Sequence, residues 1–113
     1  EMCIRDSSNI IAWQHYIGTK ECLTSKAISK YAAPIFANDL HGLPSTYIAV
    51  GDVDLFLDED INYSKRLEAA GIGIQLEIFK GGFHAFEFLV PSAKISKLAR
   101  ANHSSAISVA LFD

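Results

Sequence analysis

The hydrophobic pattern from residue 45 onward predicts alternating strands and helices. The run STYIAVGD is short, rich in β-branched and aromatic residues and followed by polar positions, which is typical of a buried strand. The later run IGIQLEIF alternates between two sides and predicts a second strand. Between them, DLFLDEDINYSKRLEAAG predicts a loop followed by a helix. A helix of this length between two strands implies a parallel pair joined by a right-handed crossover.

The helix between the strands carries start and stop signals of its own. Asp58 is expected to be the N-cap, because a carboxylate can accept hydrogen bonds from the free N–H groups of the first turn. Acidic residues follow it, where the helix dipole favours negative charge. Leu67 falls on the apolar face, and Gly71 is the expected residue just beyond the helix.

The segments on either side of this unit also have readable patterns. Ile10, Trp13 and Ile17 lie at helical spacing, and Gly18 predicts the end of that helix. Residues 19–45 show no sustained period and are interrupted by Pro, Gly and an Asn-Asp pair, so they predict a loop with one short helical turn. After the loop KGGFHAFEF, a proline precedes a long Ala- and Ser-rich helix that reaches the C-terminus.

The predicted order therefore defines an α/β fold class with too few strands to stand alone. STYIAV has the composition of a strand that is covered on both faces, as parallel strands usually are. A single pair of strands offers too little sheet for helices on two sides. We expect a strand-helix-strand-helix portion of a larger α/β domain, with parallel strands and an incomplete sheet.

The amino-acid composition argues against several classes of protein. Half of the 113 residues are hydrophobic, which indicates globular material and not a disordered tail. The net charge is −3 and no basic patch is interleaved with aromatic residues, so nucleic acid is not expected as a partner. No apolar run approaches the length of a membrane span. The two cysteines, Cys3 and Cys22, are too few to predict a disulfide framework.

The first seven residues, EMCIRDS, differ from the rest of the chain. They contain no helix cap, turn or signal-peptide pattern. Residues 2–7 resemble the in-frame translation of a transposase adapter that is used in sequencing libraries. We therefore expect residues 1–7 to be a non-native, adapter-derived segment, and residues 8–113 to be the C-terminal part of one domain whose earlier residues are missing. Cys3 would then be non-native, and the net charge of the remainder would be −2.

Candidate chemistry lies in the two loops that follow the predicted strands. Functional groups of parallel α/β sheets occupy the loops beyond the carboxyl ends of the strands. The first such loop is acidic, with Asp52, Asp54, Asp58 and Asp60 as candidates, and the second contains His84. A carboxylate bonded to one imidazole nitrogen leaves the other free to accept a proton from a nucleophile. An acidic loop followed by a histidine loop is the chain order of the last two members of a Ser-Asp-His triad.

Three motifs carry a resemblance to a known family. Gly42-Leu43-Pro44 resembles a GLPP lead-in, with Ser45 in place of the second proline. Gly51, Asp54, Asp58 and Glu59 fit a G-x-x-D-x-L-x-D-E pattern, in which Phe56 stands at the leucine position, and residues 81–86 fit G-x-x-H-G-F. Ala85 stands where that last motif has glycine, a change we expect to be small. The segment from Gly42 to Glu87 resembles the C-terminal section of hormone-sensitive-lipase-type esterases, which have the α/β-hydrolase fold.

The resemblance implies a serine esterase. In that family Asp54 would be the catalytic acid and His84 the general base, acting on small-molecule esters of short or medium acyl chains without a cofactor. Neither the HGGG oxyanion motif nor the G-x-S-x-G nucleophile motif occurs in these residues, and in the family both precede the acid. We expect the chain alone to be inactive for this reason.

Several other functions are weighed against the esterase. A receptor-like protein on the same fold could bind a small molecule without catalysis, although such proteins in this family have lost the histidine. A nucleotide-binding module would need a glycine-rich phosphate loop, which is absent from the sequence. The acidic run at 52–60 suggests calcium, but Leu57 and Tyr63 stand where an EF-hand needs glycine and glutamate, so no metal is expected. Phe83, Phe86 and Phe88 could line an acyl pocket or belong to the core.

Overall fold

The computed structural model of the chain describes residues 10–16 and 29–112. The chain divides into two compact units, Glu1–Leu40 and His41–Asp113. The expected adapter-derived segment and the expected helix stop at Gly18 lie outside the described residues.

The first unit contains two short helical segments. Residues 10–16 are helical (α1), in agreement with the spacing of the apolar residues, and the Tyr16 hydroxyl donates to the carbonyl of Ala32 at 3.4 Å. Pro34–Phe36 forms a single 3-10 turn. This is the short helical turn that the sequence predicts within an otherwise irregular stretch.

The second unit is built on a parallel pair of strands. Strands β1 (Thr46–Gly51) and β2 (Ile74–Phe79) lie side by side, with Thr46 opposite Ile74 and Gly51 opposite Phe79. Helix α2 (Leu57–Ala69) connects them and packs against both. The predicted β-α-β unit is therefore confirmed.

The start of α2 differs from the prediction, and Asp58 as its N-cap is wrong. The residue at the cap is Phe56, which makes no side-chain cap bond, and Asp58 is the second residue of the helix. The reason is the turn that precedes the helix, where Asp54 accepts the Phe56 N–H on its carboxylate at 3.0 Å and the Leu57 N–H on its carbonyl at 3.3 Å. The predicted end is confirmed, because Gly71 follows the cap with a φ of 77°.

Two helices follow β2. The long C-terminal helix α4 (Lys94–Phe112) is confirmed, but the four-residue helix α3 (Phe86–Leu89) occupies residues that the sequence predicts to be loop. Side chains of α4 hold α3 in place. The buried Ser96 hydroxyl donates to the carbonyl of Phe86 at 3.2 Å, and Arg100 donates to the carbonyls of Glu87 and Pro91 at 2.9 and 2.8 Å.

The core of this unit lies between the sheet and α4. Phe79, Phe86 and Ala99 form a buried cluster. On the same face of the sheet, Glu77 accepts hydrogen bonds from Asn102 and from Tyr47. Burial and the bond to Glu77 raise the pKa of the Tyr47 phenol. These contacts fix α4 to β2, and thereby fix the loop that lies between them.

The two-stranded sheet leaves apolar surface uncovered. Ile78 on β2 is 47% exposed and Leu98 on α4 is 54% exposed. Parallel strands are normally covered on both faces, so this exposure agrees with the expected incomplete sheet. Within the described segments, no helix combines the length and apolarity needed to cross a bilayer.

Candidate active site

The loops after the two strands bring Asp54 and His84 together. His84 Nδ1 lies 3.0 Å from Asp54 Oδ2. The two side chains differ in access, since that of Asp54 is 9% exposed and that of His84 is 63% exposed. The carboxylate therefore sits behind the imidazole, and the ring faces an open region.

The surroundings of Asp54 fix how the imidazole is held. Its second oxygen, Oδ1, accepts the backbone N–H of Phe56 at 3.0 Å. The Phe56 ring meets the His84 ring edge-on, with centroids 5.4 Å apart. A carboxylate only accepts hydrogen bonds, so Nδ1 of a neutral His84 must donate to it. The lone pair is then on Nε2, which can accept a proton.

A close backbone contact brings the two loops within reach of each other. A Cβ atom on Gly51 would lie 2.1 Å from the carbonyl oxygen of Gly82, much closer than any side chain can approach. Gly51 ends β1 three residues before Asp54, and Gly82 lies two residues before His84. Only glycine at 51 permits this contact, and the contact sets the separation of the acid and the histidine.

The other acidic candidates have different surroundings. Asp52 Oδ1 accepts the backbone N–H of Gly81 at 2.6 Å, so it bonds the histidine loop but not the imidazole. Asp58 is exposed on α2. Asp60 also lies on α2, and burial, followed by the nearby charge of Asp54, raises its pKa. Of the four candidates, Asp54 is the one paired with His84.

The backbone at Ala85 corrects one expectation from the sequence. Ala85 has a φ of 59° and a ψ of 28°, which is the left-handed conformation. The side chain makes this conformation cost about 1–2 kcal/mol in an L residue, and glycine avoids most of that cost. With alanine in place of the motif's glycine, His84 is still paired with Asp54. The expectation of a small change is wrong for the backbone, because the alanine is held in a strained conformation.

A cavity of about 290 Å³ opens beside the pair. Its lining includes Asp54, His84, Phe83 and Phe88. The latter two phenylalanines are 39% and 77% exposed, whereas Phe86 is 6% exposed and belongs to the core. All three phenylalanines that the sequence could not separate therefore line this cavity, and Phe86 belongs to the core as well. Among the described residues, no cluster of three or more His, Cys, Asp or Glu side chains could hold a metal ion.

Sequence reasoning missed the contacts that hold the site. The Asp52 bond to Gly81 and the ring contact of Phe56 with His84 both depend on the path of the loop, which residue spacing does not reveal. In the part of the chain that the structure describes, no serine hydroxyl is bonded to His84. Parallel strands with a bonded acid and histidine at their carboxyl ends define the class: an α/β protein with an acid–histidine pair at the edge of its sheet where such proteins carry functional groups.

Comparisons with known proteins identify the family. The family model described as "alpha/beta hydrolase fold" matches residues 1–88. The rat (Rattus norvegicus) neutral cholesterol ester hydrolase 1 is 44% identical over 55 residues, which are 47% of this chain and 14% of that protein. The crystal structure of esterase LipW from Mycobacterium marinum has a TM-score of 0.81 and 31% identity, over 91% of this chain and 31% of that one. A bacterial heroin esterase has a TM-score of 0.72 and 41% identity, and the match covers 76% of this chain and 27% of that one.

These findings establish that the chain belongs to the alpha/beta hydrolase fold family, in its hormone-sensitive-lipase-type branch. The chain spans less than a third of the length of each of these three relatives.

Proposed function

We propose that this chain carries the acid and the histidine of a Ser-Asp-His triad in a carboxylic-ester hydrolase. The observation that carries the proposal is the 3.0 Å contact between Asp54 Oδ2 and His84 Nδ1. The names of the similar proteins support an ester as substrate, because they are a cholesterol ester hydrolase, an esterase and a heroin esterase. The expected substrate is therefore a small-molecule ester, and this chemistry needs no cofactor.

The proposed roles follow from which atoms are held and which are free. Asp54 fixes His84 with Nε2 as the acceptor, so Nε2 takes the proton of a serine hydroxyl as its oxygen attacks the ester carbonyl. The imidazolium that forms is stabilised by Asp54 and then gives its proton to the departing alkoxide. The acyl group is then bonded to the serine oxygen. Water, deprotonated by His84 in the same way, attacks this acyl-serine, the bond to the serine oxygen breaks, and His84 returns the proton to the serine as the carboxylic acid leaves.

The nucleophile and the oxyanion donors are proposed to come from residues outside this chain. Its sequence contains neither a G-x-S-x-G nor an HGGG motif. The chain alone should therefore show no turnover of a nitrophenyl ester that depends on His84. The binding-protein alternative is less well supported, since a protein that only binds has no need of an acid bonded to the histidine.

Extending the DNA upstream from the codon for Ser8 tests the proposal. We expect an open frame that encodes HGGG and then G-x-S-x-G, and the protein encoded by that frame is called the full-length enzyme below. A frame with its nucleophile serine replaced would overturn the hydrolase in favour of the binding protein. A natural start at Met2, or His84-dependent turnover by the chain alone, would contradict the account of the missing serine.

A further inference from the structure

The two site loops are joined beyond the end of the sheet. The Asp52 N–H donates to the carbonyl of Phe79 at 3.0 Å, and the Val53 N–H donates to that of Gly82 at 3.1 Å. These bonds extend the pairing of β1 and β2 into the loops that carry the acid and the histidine. Asp52 is the first residue after β1, where the two loops begin to separate from the sheet.

The Asp52 side chain adds a bond that the backbone alone does not provide. Its Oδ1 accepts the N–H of Gly81 at 2.6 Å, across 29 residues of sequence. A hydrogen bond from an amide to an ionised carboxylate belongs to the short, strong class. Gly81 has a φ of 81°, so the bond holds the histidine loop at the residue where its backbone turns.

We propose that Asp52 is a positioning residue for the proposed reaction. It lies two residues before Asp54, and its partner Gly81 lies three residues before His84. The bond therefore connects the two loops close to the acid–histidine contact and keeps His84 Nδ1 within bonding distance of Asp54. Asp52 acts through the backbone of the histidine loop and not on the substrate. This inference rests on the proposed function.

Steady-state kinetics of the full-length enzyme on p-nitrophenyl butyrate test the proposal. Asp52→Ala removes the acceptor of the Gly81 bond. We expect kcat to fall about tenfold or more, because small displacements of a catalytic group such as His84 are costly. KM should change less than about twofold, because Asp52 does not touch the substrate. Asp52→Asn keeps an oxygen that can accept the same bond, and its kcat should stay within about threefold of wild type. Asp58→Ala is the matched control, an exposed acid in the same segment that should leave both constants unchanged.

The possible outcomes separate this inference from the proposed function. If His84→Ala abolishes turnover but Asp52→Ala leaves kcat unchanged, Asp52 is not a positioning residue and the proposed function stands. If neither variant changes kcat, the proposed function fails as well. An Asp52→Asn enzyme as impaired as Asp52→Ala would mean that charge matters and not the bond, which also overturns the inference.

A second measurement does not depend on whether Asp52→Ala folds. Gly81 is exposed, so its amide should exchange rapidly with solvent unless Asp52 holds it. We expect slowed exchange of the Gly81 amide by NMR in the wild-type full-length enzyme and in Asp52→Asn. Exchange at the rate of an unprotected amide in the wild type would overturn the proposal.

Discussion

Replacing Ala85 with glycine should stabilise the enzyme, although the same change destabilises most positions. Ala85 adopts a φ of 59° and a ψ of 28°, a conformation that costs an L residue about 1–2 kcal/mol. Glycine removes most of that cost but loses more conformational freedom on folding, a penalty of about 0.5–1 kcal/mol. The middle values of these two ranges leave an expected gain of about 0.75 kcal/mol in the free energy of unfolding.

Chemical denaturation of the full-length enzyme, followed by circular dichroism, measures this gain. The matched control is Ala101→Gly, an identical change at an exposed position inside α4, which should lower the free energy of unfolding by about 1 kcal/mol. The two variants should thus move in opposite directions. If Ala85→Gly destabilises as much as Ala101→Gly, then residue 85 is not left-handed and the reasoning is refuted.

Two further predictions concern the loops and the start of α2. Gly51→Ala should destabilise the protein by about 3 kcal/mol or more in thermal unfolding, because its Cβ would lie 2.1 Å from the Gly82 carbonyl oxygen. Gly73→Ala is the control and should destabilise less, because its Cβ would meet only the Ser45 hydroxyl, at 3.1 Å. Equal losses of stability in the two variants would contradict the close contact at Gly51. Asp60→Asn should raise stability at neutral pH, because burial and then the charge of Asp54 raise the pKa of Asp60 and its ionised form opposes folding. This advantage should vanish as the pH falls through the raised pKa and Asp60 becomes protonated, and an advantage that grows in acid would be inconsistent with that explanation.

Much of the fold could be predicted because its signals are local. Two apolar runs with strand patterns, a helical period between them and Gly71 at the helix end are sufficient to predict the parallel β-α-β unit. Residue spacing could not predict α3, since two of its carbonyls, those of Phe86 and Glu87, accept bonds from Ser96 and Arg100 of a helix further along the chain. Short helices of this kind depend on tertiary contacts more than on propensity.

The site was predictable in outline and not in detail. Parallel strands place their following loops at one edge, so an acid near His84 follows from topology alone. The path of the loop decides which acid pairs with His84. The loop turns at Asp54, whose carboxylate accepts the Phe56 N–H. Residue spacing therefore left Asp52 and Asp54 unresolved, and the family motif was needed to favour Asp54. The start of α2 was misplaced at Asp58 for the same reason.

The central claim is that His84, held by Asp54, transfers the proton in ester hydrolysis. The most direct test is kcat of the full-length enzyme on p-nitrophenyl butyrate for wild type and His84→Ala, with the exposed His41→Ala as a matched control. The account predicts a loss on the order of 10⁴-fold for His84→Ala, as in other serine-hydrolase triads, and no significant loss for His41→Ala. A His84→Ala enzyme that keeps more than a tenth of the wild-type kcat would contradict it.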